Sequence, residues 1–363
     1  MLVIGSLRLD APFVQAALRG YSDLPMRRIA RRFGAPYAYS EVVVDRMVIQ
    51  KGRTRRRVLH VEADDHPIGG QLMGADPPDF ALAAADMVEA GYDAIDINFG
   101  CPVKKVLGRC RGGFLLSRPD VALDIVRAVL DAVGGRCPVT VKLRRGMDDS
   151  PESERSFFAV LDGAFDAGGA AVTVHPRTVR QRYAGPADWT FLGRVKRHAG
   201  DRVVLGSGDL FSAEACLRMM AETGVDGVSL ARGCIGNPWI FQECRALYAG
   251  QPLPPPPTVP EVGRVLAAHY DEAVRVYGDA VACRTMRKFG IRYGSPHPQA
   301  REVRDAFVVV RTSEEYRAVL HRWFDPDVDW PPVRRPANHG EDIPADVSAP
   351  AGPSSWTMEA REG

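Results

Sequence analysis

Asp96-Ile97-Asn98-Phe99-Gly100-Cys101-Pro102-Val103-Lys104-Lys105 is the stretch from which the rest of the chain can be read. A mostly apolar run, Ala94 to Ile97, leads through Asn98 to a glycine, a cysteine, a proline and two lysines. This is the pattern of a buried strand ending in a working loop. Gly100 is expected to take an unusual backbone angle and Pro102 to fix the next one. Cys101 stands at the tip, beside lysine charges that would favour its thiolate. Taken alone, such a cysteine is more often a structural thiol next to a solvated basic loop. The rest of the chain decides otherwise, because it repeatedly delivers polar residues to strand ends.

Working outward, eight short apolar segments have the character of strands: residues 13–18, 37–43, 67–72, 94–98, 138–144, 171–175, 203–207 and 227–231. Several are continuous rather than alternating, which suits strands covered on both faces. Helical patterns lie between them. Asp76-Pro77-Pro78 opens one that carries Phe80, Ala84, Met87 and Val88, and Pro119-Asp120 opens another with Val121, Ile125, Val126 and Val129. Phe157, Val160, Leu161 and Phe165 mark a third, and Ser212 is expected to cap a fourth. Strand plus crossover helix, eight times in roughly 240 residues, points to a (β/α)8 TIM barrel. An open doubly wound sheet would place a glycine fingerprint after its first strand, and no G-x-G-x-x-G stands there.

Composition sets the outer limits. Of 363 residues, 45% are hydrophobic and 25% charged, the balance of a soluble globular protein. No apolar run approaches the ~18 residues of a membrane span, and Met1 to Asp10 lacks a signal-peptide core, so no membrane partner is expected. Seven cysteines are scattered without a CxxC pair, which argues against a disulfide framework or a metal site and fits the cytoplasm. The net charge is only +2, so a nucleic-acid partner must be argued from local clusters. The Pro-rich stretch Pro252-Leu253-Pro254-Pro255-Pro256-Pro257 separates two parts. The expected organisation is a barrel at 1–250, a linker at 251–260 and a small all-α helical domain at 261–325. Helical periodicity is seen in Val262 to Val276, Met286 to Tyr293 and Tyr316 to Phe324. A disordered tail at 326–363 completes it.

The C-terminal ends of barrel strands form one face, where active sites sit. The third strand brings Gln71 there, the fourth Asn98 and Cys101, the fifth Lys142 and Arg144. The sixth brings His175 and Arg177, the seventh Ser207, Gly208 and Asp209, the eighth Arg232. The glycine-flanked loops after the seventh and eighth strands suit a phosphate, with Arg232 adding charge. Lys142 and His175 could face an electron-rich ring. A phosphate cradle joined to a cation-lined, Gln-tipped pocket is what flavin mononucleotide (FMN) requires.

The stretch from Asp96 to Val106 resembles the signature loop of the dihydrouridine synthases, flavoenzymes that reduce uridines in transfer RNA. The resemblance extends through Gly20-Tyr21-Ser22-Asp23, Pro25-Met26-Arg27, Ser40-Glu41, Gln71, Val141-Lys142-Leu143-Arg144, Val174-His175, Arg177-Thr178 and Asn237-Pro238-Trp239-Ile240-Phe241. Arg287-Lys288 and Tyr293 resemble a further motif of that family, so that residues 7–324 are covered. The resemblance implies an FMN-bearing barrel, NADPH as hydride source and a helical tRNA-binding domain; separately, a monomer is expected. Cys101 would be the acid that protonates uracil C5. Gln71, Lys142 and His175 would contact the flavin, with Ala17, Leu18 and Arg19 beside it. Ser207, Gly208, Asp209, Ala231 and Arg232 would surround its phosphate and ribityl tail. Asn98 and Arg177 would position the base. Lys104, Lys105, Arg284, Arg287, Lys288, Arg292, Arg301 and Arg304 would meet RNA phosphates, with salt-dependent binding. A general acid must hold its proton, so the lysines would have to favour RNA phosphate more than they ionise Cys101.

Three positions depart from the family pattern. Ala16-Ala17-Leu18-Arg19-Gly20 replaces Ala-Pro-Met-Ala-Gly, Gly206-Ser207-Gly208-Asp209 replaces Ala-Asn-Gly-Asp, and Ala231-Arg232 replaces Gly-Arg. Arg19 would either place a bulky cation beside the flavin or point away. Two other functions compete: a catalytically impaired RNA-binding relative, and a flavin barrel that reduces a small pyrimidine.

Overall fold

In the computed structural model, which describes residues 1–334, eight parallel strands close into a barrel. They are β1 (Phe13–Gln15), β2 (Tyr37–Tyr39), β3 (Ile68–Met73), β4 (Ala94–Phe99), β5 (Val139–Arg144), β6 (Ala171–His175), β7 (Val204–Gly206) and β8 (Gly227–Leu230). Each pairs with the next in the chain, and β8 returns to β1 through Leu230 and Gln15, so the sheet has no open edge. The expected segments are all present, trimmed mainly where the chain turns into loops. A short extra strand, Val43–Val44, pairs with Leu72 and Met73 at the C-terminal end of β3.

Register decides what faces the lumen. Gln71 stands beside Asp96, Asn98 beside Lys142, and Arg144 beside His175. Registered neighbours share a face of a sheet. That face is the interior, because Tyr39 on β2 reaches Thr140 on β5, two strands that are not neighbours. The N-terminal hairpin, Leu2–Ile4 with Leu7–Leu9, was not foreseen. Its Leu2, Ile4 and Leu9 pack with Val14, Tyr37, Ala94, Ala171 and Leu205, several of them at strand starts. The hairpin thus closes the N-terminal end and leaves the C-terminal mouth for chemistry.

The crossover helices start where expected. Pro77–Glu89 is capped by the Asp76 carboxylate on the Asp79 N–H, Pro119–Val133 begins at its proline, and Pro151–Asp166 is capped by Ser150. Ala213–Thr223 follows directly after Ser212. Caps of this kind contribute about 1 kcal/mol each.

Contacts divide the chain into two units, the first comprising Met1–Arg19, Ala35–Leu210 and Ala215–Ala231. The second comprises Gly20–Gly34, Phe211–Glu214 and the described residues from Arg232 onward. It contains the helices Leu24–Arg32, Trp239–Tyr248, Val259–Tyr277, Asp279–Tyr293, Ala300–Val309 and Ser313–Trp323. Thr258 with Glu261 and Thr312 with Glu315 form capping boxes at two of these starts. The former places the helix start at Val259, inside the stretch expected as linker. Ala300–Val309 escapes the sequence reading because only Val303 and Phe307 of it are buried. Tyr270 and Tyr316 stack at 4.1 Å in the core of this unit. Glu272, 3% exposed, receives Arg28, Arg32 and Arg275, which ties Leu24–Arg32 to Val259–Tyr277. Residues 326–334, expected as the start of a disordered tail, are irregular but held. Trp330 Nε1 donates to Asp325 O at 2.9 Å and its ring lies 4.9 Å from that of His297. The rest of the expected tail, 335–363, lies outside the described residues.

Candidate active site

A chain of hydrogen bonds crosses the lumen and ends on the cysteine loop. Thr140 Oγ1 donates to Asp96 Oδ1 at 2.6 Å, and Gln71 Nε2 donates to Asp96 Oδ2 at 2.6 Å. Asn98 Nδ2 donates to Gln71 Oε1 at 2.7 Å. Asn98 Oδ1 in turn accepts the backbone N–H groups of Gly100 at 3.0 Å and Cys101 at 3.1 Å. Tyr39 OH lies 3.3 Å from Thr140 Oγ1 and completes the series. Asp96, Gln71 and Thr140 are each 1% exposed. Burial raises the Asp96 carboxyl to about 6, against the opposing hydrogen bonds and the nearby Lys142 charge.

Arg144 holds the same loop from the other side. Its Nε donates to Gly100 O at 2.9 Å, and its Nη1 donates to Thr178 O at 3.0 Å and Arg182 O at 2.7 Å. Its guanidinium carbon sits 5.3 Å from the centre of the Tyr183 ring. The loop between Cys101 and the short 3-10 turn Gly112–Ser117 folds back on itself, with Gly113 N–H donating to Cys101 O at 3.1 Å.

Two expectations about this loop are corrected. Gly100 adopts no positive φ, and a Cβ there would find only ordinary contacts, the closest at 3.6 Å. The tight place is Gly112, at φ 58°, where a Cβ would come within 2.8 Å of Cys101 Cβ. The Cys101 thiol is also not driven towards its thiolate by lysines. Burial pushes it above its ordinary value, and the charges that partly oppose this belong to Arg144 and Arg19. Lys104 and Lys105 sit exposed on the single helical turn Lys104–Leu107.

Lys142, beside Asn98, is half-buried and its ammonium has no hydrogen-bond partner among the described residues. Burial lowers it to about 8, with Arg144 acting in the same direction and Asp96 against it. His175 is buried at the end of β6 and its Nδ1 accepts the Arg177 N–H at 3.3 Å. Ser207 is buried, and Gly208 and Asp209 follow with φ of 109° and 56°. Gly208 is buried and its N–H makes no hydrogen bond among the described residues, so it is a donor that an anion could satisfy. Ala17 is buried, Leu18 half-buried and Arg19 exposed, its charge reaching Cys101.

Arg177 and Asp209, expected on different ligands, meet each other. Arg177 Nη2 lies 2.7 Å from Asp209 Oδ2, which also accepts the Ala187 N–H at 2.7 Å, and Arg177 Nε donates to Gly185 O. Arg177 Nη1 is buried without a partner among the described residues. In the helical unit, Arg232 lies over the Phe211 ring, and Lys288 donates to Gly20 O with its ammonium 4.7 Å from the Tyr21 ring centre. Arg287 reaches Val308 O and Val310 O, each at 3.4 Å. Arg292 makes no side-chain hydrogen bond or ion pair among the described residues and is half-buried.

Sequence alone places Arg144 at the mouth without a task and assigns no role to Asp96, Thr140 or Tyr39. The available signal was one charge inside an otherwise apolar strand, Ala94-Ile95-Asp96-Ile97, at the same period-2 position as Asn98.

A family model described as Dihydrouridine synthase (Dus) matches residues 14–325. A Mycobacterium tuberculosis (strain ATCC 25618 / H37Rv) protein named "Probable tRNA-dihydrouridine synthase" is 35% identical over 361 residues, covering 97% of this chain and 92% of its own length. The Pseudomonas aeruginosa protein named tRNA-dihydrouridine synthase B is 35% identical over 323 residues, covering 88% of this chain and 95% of its own. Among solved structures, morphinone reductase aligns with a TM-score of 0.52 at 15% identity, covering 70% of this chain and 91% of that one. A 2-naphthoyl-CoA reductase aligns with a TM-score of 0.54 at 11% identity, covering 69% and 52%. At those identities the structural likeness speaks to the barrel alone.

Proposed function

The chain belongs to the dihydrouridine synthase family, and we propose that it reduces the C5–C6 double bond of uridines in tRNA, with NADPH as electron source. The observation that carries this reading is Cys101: a half-buried thiol, kept protonated by burial and fixed at the strand-end mouth by Asn98 and Arg144. A general acid must arrive carrying its proton, and burial secures that here without help from the substrate.

The residues fit FMN. The orphan Gly208 N–H, in a left-handed turn with Asp209, suits a phosphate, and the half-buried Lys142 ammonium lacks a partner that an electron-rich ring would supply. Lys142, His175, Ser207 and Gly208 would hold the cofactor, with Ala17 and Leu18 as apolar neighbours. Arg232 and Ala231 are assigned to its phosphate by the resemblance. When bound, FMN supplies the hydride, taken from a reduced nicotinamide. Gln71 would meet it only with capacity left over, since both ends of its amide are engaged.

For the substrate, Cys101 delivers its proton to uracil C5, and Arg177 offers its unpartnered Nη1 to a base carbonyl. Asn98 has its oxygen committed to the loop and can offer the base only its second Nδ2 hydrogen. The target base must leave its stack to reach the mouth, at a cost of a few kcal/mol. Exposed Lys104 and Lys105 and the half-buried Arg292 would meet phosphates, while Arg287 and Lys288 are already engaged within the helical unit. Arg19 is exposed, and its charge reaches Cys101. Among the described residues no helix is long and apolar enough to cross a membrane, and we place the enzyme in the cytoplasm with its RNA.

The test is to map dihydrouridine in tRNA from cells with and without this protein. Loss of the modified base at defined positions supports the reading, and an unchanged map contradicts it.

A further inference from the structure

The hydrogen-bond chain through the lumen has a direction, and its two ends agree on it: the Asp96 carboxylate can only accept and the loop N–H groups can only donate. Gln71 and Asn98 carry amides whose oxygen and nitrogen ends have the same shape, so packing alone does not decide which end points where. A carboxylate does decide, because it only accepts. Asp96 Oδ2 therefore draws the Gln71 NH2, at 2.6 Å. That turns Gln71 Oε1 to Asn98, which must answer with its own NH2 at 2.7 Å. The Asn98 oxygen is left facing Gly100 and Cys101, the only sense in which it can accept their N–H groups. Were Asn98 reversed, its NH2 would confront the loop N–H groups; were Gln71 reversed alone, its NH2 would confront that of Asn98 and its oxygen the Asp96 carboxylate.

We propose that Asp96 is a positioning residue for the reaction: its charge orients Gln71 and Asn98 in series and so fixes the backbone of the proton donor, Cys101. This rests on the reading of Cys101 given above. The two can fail separately, because turnover of a Cys101→Ala variant tests the donor, whereas loop fixation is read from the thiol itself.

One escape has to be closed in the experiment. With an amide at position 96, its NH2 could donate to Thr140, whose hydroxyl would turn to Tyr39, and Gln71 would keep its sense. Thr140→Val removes that route, since a methyl neither donates nor accepts. Three variants of the flavin-loaded protein are compared: Thr140→Val as reference, Thr140→Val with Asp96→Asn, and that pair with Gln71→Glu. All three substitutions nearly conserve shape. In the second variant no arrangement satisfies every donor. Either the new amide strands its own NH2 against the valine at position 140, or it donates towards Gln71, both downstream amides reverse and the loop loses its acceptor. Orientation by Asp96 requires that the second arrangement be populated. In the third, the carboxylate at position 71 accepts from both neighbours and restores the Asn98 orientation.

The readout is the rate at which iodoacetamide alkylates Cys101, followed by mass spectrometry of its peptide at pH 7. The second variant should react about tenfold faster than the reference and the third should return to within about twofold of it, from the cost of stranding buried donors. Equal rates in all three, or a third variant as fast as the second, overturn the proposal. Should the second variant fail to fold, amide exchange in the unsubstituted protein decides. Gly100 and Cys101 should exchange at least about a hundredfold slower than unstructured amides. Exchange at the unstructured rate overturns it.

Discussion

Asn98 Oδ1 accepts the backbone N–H of Cys101 at 3.1 Å while its Nδ2 donates to Gln71 Oε1 at 2.7 Å. One side chain on β4 therefore joins the buried polar lumen to the reactive loop. An Asn98→Ala variant should strand two loop N–H groups and the Gln71 oxygen, and cost about 1–3 kcal/mol of stability. Turnover with tRNA should fall about 10- to 100-fold with flavin content unchanged. Steady-state kinetics with an absorbance measurement of bound flavin checks both.

Lys142 should give the protein without flavin an alkaline signature. Its ordinary value is 10.5 and burial brings it to about 8. Between those values the unfolded chain holds a proton that the folded chain does not, so stability rises as pH climbs from 8 to 10.5. FMN affinity should move the other way, weakening above pH 8 as the ammonium is lost. Urea melts and flavin titrations across that range, repeated on Lys142→Met, should show both trends reduced in the variant.

His269 should make the protein sensitive to acid. Burial, then the charges of Lys288 and Arg32, lower it from 6.5 to about 3, and its Nε2 has no partner among the described residues. Between pH 6.5 and 3 the unfolded chain binds the extra proton, so stability falls with pH. From pH 7 to 5 this group alone should remove about 2 kcal/mol. In His269→Gln, the same pair of denaturant melts should show that much less acid loss.

Glu272 is the common acceptor of Arg28, Arg32 and Arg275. Removing one side of a buried ion pair leaves the other uncompensated, at about 3–5 kcal/mol. Arg32 and Arg275 are 52% and 62% exposed, so the low end applies. Glu272→Gln should therefore lower stability by about 3 kcal/mol in urea unfolding.

The barrel was legible because its strands are short segments rich in apolar residues, such as Ala171–His175 and Gly227–Leu230, separated by helix-opening Asp-Pro and Pro-Asp pairs. The strand-end residues were legible as polar groups near the C-terminal end of each segment, among them Gln71, Asn98, Lys142 and His175. What stayed hidden depends on residues distant in sequence. Lys104 and Lys105 adjoin Cys101 in the chain, yet Arg144 from β5 and Arg19 after β1 are the charges its thiol feels. Asp96 acts only through the register of β3, β4 and β5. Arg177 and Asp209 each looked like a ligand contact, and nothing in 32 residues of separation signals that they pair. The hairpin at residues 2–9 is too short for periodicity to show.

The most direct test of the central claim is Cys101→Ala. If the buried thiol is the acid, the purified variant should bind flavin and tRNA as before, while dihydrouridine formation drops by about 10²- to 10⁴-fold, the usual worth of a general acid. A variant that forms dihydrouridine at the unsubstituted rate would contradict the account.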